Sequence, residues 1–247
     1  GKDRALTTVL LALFLLASPA EGTQASSSAA QAPPLPAPVY VAPAQLDLPR
    51  VLPPWPAADS LASEADVMTV LAVQARRTRA EERDAQADSV TIMPDFTKRL
   101  LGPAATPERL PKLFALMGAL QQDMRGVNRA ANEARGYRLR PVLFDRRIKP
   151  SLDMIGHGAA SYPSARTSSG KVWAEVIALL LPGRAEAARA EAERIAWRRV
   201  VGGVHYPSDL GGSLHVARAV MTALQASPSF QADLQAVRAE LAAAGIR

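Results

Sequence analysis

The chain has no cysteine among its 247 residues. That excludes disulfides, cysteine–zinc sites and a lipid-modified N-terminal cysteine, and it leaves the fold resting on its core alone. It also has no block of five or more like charges. The net charge of +6 and pI near 10 therefore describe a generally basic, arginine-rich protein and not one with a nucleic-acid patch. Few stretches alternate with a period of two, so strands are not expected. The longest early apolar run, residues 5–16, is too short to span a bilayer stably. What is present is enough for one sizeable core, with 48% hydrophobic and 21% charged residues.

Residues 1–20 have the form of a secretory signal. Lys2 and Arg4 precede the apolar run, and Ser18-Pro19-Ala20 offers small residues for cleavage. This predicts a periplasmic protein with no stable membrane anchor after cleavage. Residues 21–45, rich in Ala, Ser, Gln and Pro, read as a disordered or extended linker. Residues 46–247 form the domain. It opens with L-D-L-P-R-V-L-P-P-W-P, an apolar but proline-broken strap.

From residue 57 the signals are helical. Asp59-Ser60 caps a helix that runs into the polar stretch 74–88, and a short helix follows near residues 94–101. Thr106-Pro107-Glu108 reads as the start of a long helix through about Arg135. On that helix Leu113, Leu116, Met117, Leu120 and Met124 mark a core face. Residues 136–150 break it with a cation-dense run. Ser164 caps a helix ending at Pro182-Gly183, residues 184–201 form another, and two more start at Pro207 and near Ser229. The expected class is all-α: a helical bundle with catalytic loops at one end.

The chemistry gathers in residues 197–213, W-R-R-V-V-G-G-V-H-Y-P-S-D-L-G-G-S. Pro207 places His205 at a helix mouth, and Asp209 follows one turn later on the same face. A carboxylate there can hold the proton of one imidazole nitrogen and leave the other free to attack. Two further stations precede it: Arg138 with Arg140-Pro141, and Tyr162-Pro163-Ser164-Ala165-Arg166 at a helix N-terminus. Together with Arg199 they suit a tetrahedral oxyanion.

These motifs resemble the type-2 phosphatidic acid phosphatase superfamily, most closely the bacterial class A non-specific acid phosphatases. That family shows K-x6-R-P, P-S-G-H and S-R-x5-H-x3-D, in that order. The resemblance covers residues 46–225 and includes the proline-rich strap. It implies a phosphomonoester hydrolase with no cofactor and no metal. His205 would be the nucleophile that forms a phosphohistidine, and Asp209 would orient it. Arg140, Ser164, Ala165, Arg166 and Arg199 would line the phosphate site. A small phosphomonoester or inorganic phosphate is the expected partner, nucleic acid is not, and a homo-oligomer stays open.

The chain departs from the family pattern at four positions. Glu133 stands where the family has lysine, Ala165 replaces the glycine and Arg198 the serine before Arg199. Arg166 replaces the histidine that protonates the leaving alcohol, and a guanidinium does not deprotonate. His157 is one candidate substitute acid, Arg135 and Lys149 are candidate substitute cations, and His215 reads as structural or exposed. These departures motivate a second reading, a non-catalytic phosphate-binding descendant. Vanadate-dependent haloperoxidase chemistry is a third, disfavoured by the short chain and the strap.

Overall fold

The computed structural model describes residues 35–90, 93–152 and 158–247. Among these the protein is all-α, with ten helices and a single isolated β-bridge between Leu139 and Ala160. The helices are α1 (Leu48–Val51), α2 (Leu61–Arg76), α3 (Arg79–Val90), α4 (Met93–Leu101) and α5 (Pro111–Ala134). They continue as α6 (Pro141–Phe144), α7 (Ala165–Leu180), α8 (Ala185–Val201), α9 (Pro207–Ala226) and α10 (Pro228–Ala243). No described helix is long and apolar enough to cross a membrane. The expected signal, residues 1–20, lies outside the described residues.

α7 forms the centre of the bundle. Val172, Ala174, Val176 and Ile177 have no exposed surface, and the helix packs against α5, α8, α9 and α10. A helix that is apolar on most of its circumference is stable only when surrounded. α5 contributes its predicted stripe, Leu113, Leu116, Met117, Leu120 and Met124, all buried.

Three local departures from the sequence reading have clear causes. The long helix begins at Pro111 and not at Thr106-Pro107. Residues 106–110 close one turn on the Thr106 carbonyl, and the ring of Pro111 then holds Leu110 out of helical geometry (φ −131°, ψ 55°). The helix expected to run through residues 74–88 breaks at Arg77 because Thr78 starts a new one. Its Oγ1 accepts from the Glu81 N–H at 3.2 Å, while Glu81 Oε2 accepts from the Thr78 N–H at 2.7 Å. The proline-broken strap contains one helical turn, α1, whose second residue Pro49 is tolerated because a first-turn N–H needs no partner.

Residues 35–45, the end of the expected linker, lie on α5. The buried Asp123 carboxylate accepts from the N–H groups of Val39, Tyr40 and Val41 at 2.7–2.9 Å, and Val41 is fully buried. A second buried cluster ties α3, α4 and α8 together. Asp88 accepts from Arg99 at 3.0 Å and from Arg198 at 2.6 Å, and Glu191 accepts from Arg99 and Arg194.

The join that positions the site is between the starts of α7 and α9. Ser213 Oγ donates to the Ser164 carbonyl at 2.9 Å, and the Ser164 N–H donates to the Asp209 carbonyl at 3.4 Å. Gly212 faces the ring of Tyr162 so closely that a Cβ there would lie 2.4 Å from the ring. Glycine is required by close approach, not by backbone angle. Gly212→Ala is expected to destabilise the fold by about 1–3 kcal/mol. Gly211→Ala, one residue earlier with open space at its Cβ, is expected to be neutral or stabilising by up to about 1 kcal/mol. Thermal melts of the two variants check the contrast, and equal melting points would refute it.

Candidate active site

The turn between α8 and α9 sets the geometry. Gly203 adopts φ +72°, which ends α8 with a left-handed residue, and the Arg199 carbonyl accepts from the N–H groups of Val204 and His205. Tyr206 then caps α9 and Pro207 is its first residue. Asp209, fully buried, folds back so that its Oδ2 accepts from the Tyr206 N–H at 2.9 Å. The same oxygen lies 3.4 Å from His205 Nδ1.

The other face of the imidazole meets Arg140, whose Nη1 is 3.0 Å from His205 Nε2. A guanidinium has only donors, so Nε2 must be the acceptor and Nδ1 must carry the hydrogen. Burial, opposed by the Asp209 hydrogen bond, lowers the His205 pKa to about 4. The imidazole is therefore neutral at ordinary pH, and among the described residues its Nε2 lone pair meets Arg140 alone. Arg140 also donates from Nη1 to the Val204 carbonyl at 2.9 Å and from Nε to the Gly158 carbonyl at 2.6 Å.

Arg199 is 1% exposed, and its Nε and Nη1 have no hydrogen-bond partner among the described residues. Burial, then the nearby Arg166 and Arg140, pull its pKa down to about 9, which still leaves it cationic at neutral pH. A buried cation with two unused donors is costly unless an anion is meant to meet it.

Ser164 and Ala165 start α7 beside this group. Ser164 Oγ accepts from the Thr167 N–H and Oγ1, so the hydroxyl serves first as a helix cap. The N–H groups of Ala165 and Arg166 have no acceptor among the described residues, as expected of a helix N-terminus open to an anion. The Arg166 guanidinium donates to the Ser89 carbonyl and is largely buried. Arg166 also lines a cleft of about 620 Å³ between α5 and α7.

The structure thus brings together Arg140, Ser164, Ala165, Arg166, Arg199, His205 and Asp209. Other candidates lie elsewhere. Arg138, read as a phosphate-facing cation, instead supports the carboxylate: it donates to Asp209 Oδ1 and to Asp66 Oδ2, both at 2.8 Å. Its guanidinium stacks 3.9 Å over the Tyr206 ring. Asp66 and Ser208 complete this buried group, with Asp66 also accepting from the Ser208 N–H at 3.2 Å. Neither Asp66 nor Ser208 was picked out from the sequence, since Asp66 lies in α2 and no spacing motif links it to α9. Glu133 is exposed. Arg135 donates to the Leu52 carbonyl, Lys149 is exposed and donates to the Arg146 carbonyl, and His215 is exposed. His157 lies outside the described residues.

Removing Arg138 would leave Asp66 and Asp209 buried without their cation. Arg138→Ala is expected to lower folding stability by about 3–5 kcal/mol. Urea denaturation measures this, and a loss below about 1 kcal/mol would show that the pair is not coupled to the fold.

No family model matches the chain. Among curated proteins it is similar to a non-specific acid phosphatase of Salmonella typhimurium, 30% identical over 166 residues, which cover 66% of this chain and 64% of that protein. A non-specific acid phosphatase of Salmonella typhi is 29% identical over the same length. The chain thus spans slightly less than two thirds of the length of the curated relatives it matches. The chain is thus distantly similar to proteins named non-specific acid phosphatase.

Proposed function

We propose that this protein hydrolyses phosphomonoesters through a phosphohistidine on His205. The observation that carries the reading is the pairing of a neutral, buried imidazole with Arg199, a buried guanidinium with two donors unused among the described residues. In this reading an incoming phosphoryl group takes the donors of Arg199 and draws Arg140 away from Nε2. The N–H groups at the start of α7 complete the cradle. Nε2 then attacks phosphorus, the ester P–O bond breaks, and its electron pair leaves with the alcohol oxygen. Asp209, held by Arg138, keeps the hydrogen on Nδ1 and balances the imidazolium that forms. Water attacks the phosphohistidine, the N–P pair returns to Nε2, phosphate is released, and the proton that water sheds passes through solvent to the departed alcohol oxygen. The signal-like residues 1–20 support export to the periplasm within the same reading.

A second reading, phosphate binding without turnover, is favoured by Arg166, which stands where an acid would serve the leaving group. Phosphate or vanadate that binds by calorimetry, with no hydrolysis of any ester, would select it.

Two outcomes test the first reading. His205→Ala is expected to lower p-nitrophenyl phosphate hydrolysis by about 10⁴-fold or more and to abolish an acid-labile radiolabelled adduct. Equal nitrophenol release by wild type and variant would refute it. The pH dependence follows from the imidazole. Below about pH 4 it is protonated and cannot attack; above that value it is neutral. After correction for substrate ionisation, kcat/KM should therefore rise through about pH 4 and then level. An acid limb centred near the unperturbed value of about 6.5 would contradict the burial argument.

A further inference from the structure

Two arginines stand side by side at the end of α8, and the helix sends them in different directions. At roughly 3.6 residues per turn, chain neighbours point about 100° apart. Arg199 ends the buried stripe Ala188, Ala192 and Ile195, on a helix that packs against α7. Arg198 ends a second stripe with Glu191, and that stripe meets α3 and α4. There Asp88, 2% exposed, accepts from Arg198 at 2.6 Å through one carboxylate oxygen and from Arg99 at 3.0 Å through the other. Arg99 also donates to Glu191. Because Asp88 grips Arg198, the rotation of α8 about its own axis is set, and with it the direction of Arg199.

A second contact runs from the same place to the site. α3 ends at Val90, so the Ser89 carbonyl is one of those with no partner inside the helix. It accepts from the Arg166 guanidinium, and a cation at that end also suits the helix dipole. Arg166 therefore reaches from the start of α7 to the end of α3, one residue beyond Asp88. Both arginines answer to one carboxylate: Arg199 through its chain neighbour, Arg166 through the carbonyl next in the chain. The electrostatics agree. Burial lowers the pKa of both guanidinium groups, and Arg166 and Arg140 lower that of Arg199 further. Asp88 opposes the trend at each of them. Its own oxygens are already taken by Arg99 and Arg198.

We propose that Asp88 is a positioning residue for phosphate: by gripping Arg198 and fixing the end of α3, it aims Arg199 and Arg166 at one point. This rests on the reading in which those two arginines receive the phosphoryl group at His205. Asp88 touches no reacting atom and acts only through the arginines.

The test is inorganic phosphate binding, measured by calorimetry on the whole protein, for wild type, Asp88→Asn, Arg198→Lys and Glu191→Gln. Two roles for Asp88 predict opposite signs. If the carboxylate merely adds negative charge near the site, Asp88→Asn removes a repulsion and phosphate binds more tightly. If it positions the arginines, Kd rises by about tenfold or more. Arg198→Lys keeps the charge but loses the planar fork, and should raise Kd by about fivefold or more. It also carries the test if Asp88→Asn does not fold. Glu191→Gln breaks the cluster at Arg99 and Arg194 but leaves Asp88 on Arg198. It should lower the melting temperature and leave Kd within about twofold of wild type. With p-nitrophenyl phosphate, KM of Asp88→Asn should rise by the same factor as Kd while kcat stays within about threefold, because His205 and Asp209 are untouched. Unchanged or tighter phosphate binding in Asp88→Asn, or an equal weakening in Glu191→Gln, would overturn the proposal. Wild-type affinity in Arg198→Lys would overturn it where Asp88→Asn does not fold. A wild type that binds no phosphate removes the underlying reading of Arg199, and the proposal falls with it.

Discussion

Asp209 is the group on which the rest of the site depends. Its carboxylate has no exposed surface and divides its oxygens between two tasks. One oxygen takes Arg138, which in turn holds Asp66 of α2. The other takes the Tyr206 N–H and faces His205 Nδ1. A buried carboxylate is tolerable only when so satisfied, and its partners come from two separate segments, the Arg138 one being braced in turn by Asp66 of α2. The imidazole is oriented because the carboxylate is, and the carboxylate is oriented because α2, the segment after α5 and α9 all meet there.

The backbone around it is arranged to keep that meeting rigid. Gly212 admits the Tyr162 ring, Ser213 reaches the Ser164 carbonyl, and Ser164 reaches back to Asp209. The N-terminus of α7 is thus fastened directly to the helix that follows the histidine. Such preorganisation lets fixed donors act on developing charge without having to reorient first.

Much of this was legible in the residues. Pro207 and Asp209 announce a helix with a histidine at its mouth, Ser164 announces the start of α7, and the Leu/Met stripe of α5 announces a core face. The cap formed by Thr78 and Glu81 was also readable, since Thr-x-x-Glu is a helix-start pattern, yet the long polar stretch masked it. Thr106-Pro107-Glu108 misled because a second proline, Pro111, follows close behind and resets the start. The role of Arg138 could not be read, because its partner Asp66 is 72 residues away and ion pairing leaves no periodic trace.

Arg198 and Arg199 are neighbours in sequence with opposite fates. The first is neutralised by Asp88, while the second is dehydrated and left with idle donors. An uncompensated cation in the interior is latent electrostatic strain, held in place by everything else that folds around it. A dianion that entered would relax it, so that occupancy and cohesion would be linked by mass action. The protein's resistance to heat would then rise with the concentration of an anion that fits.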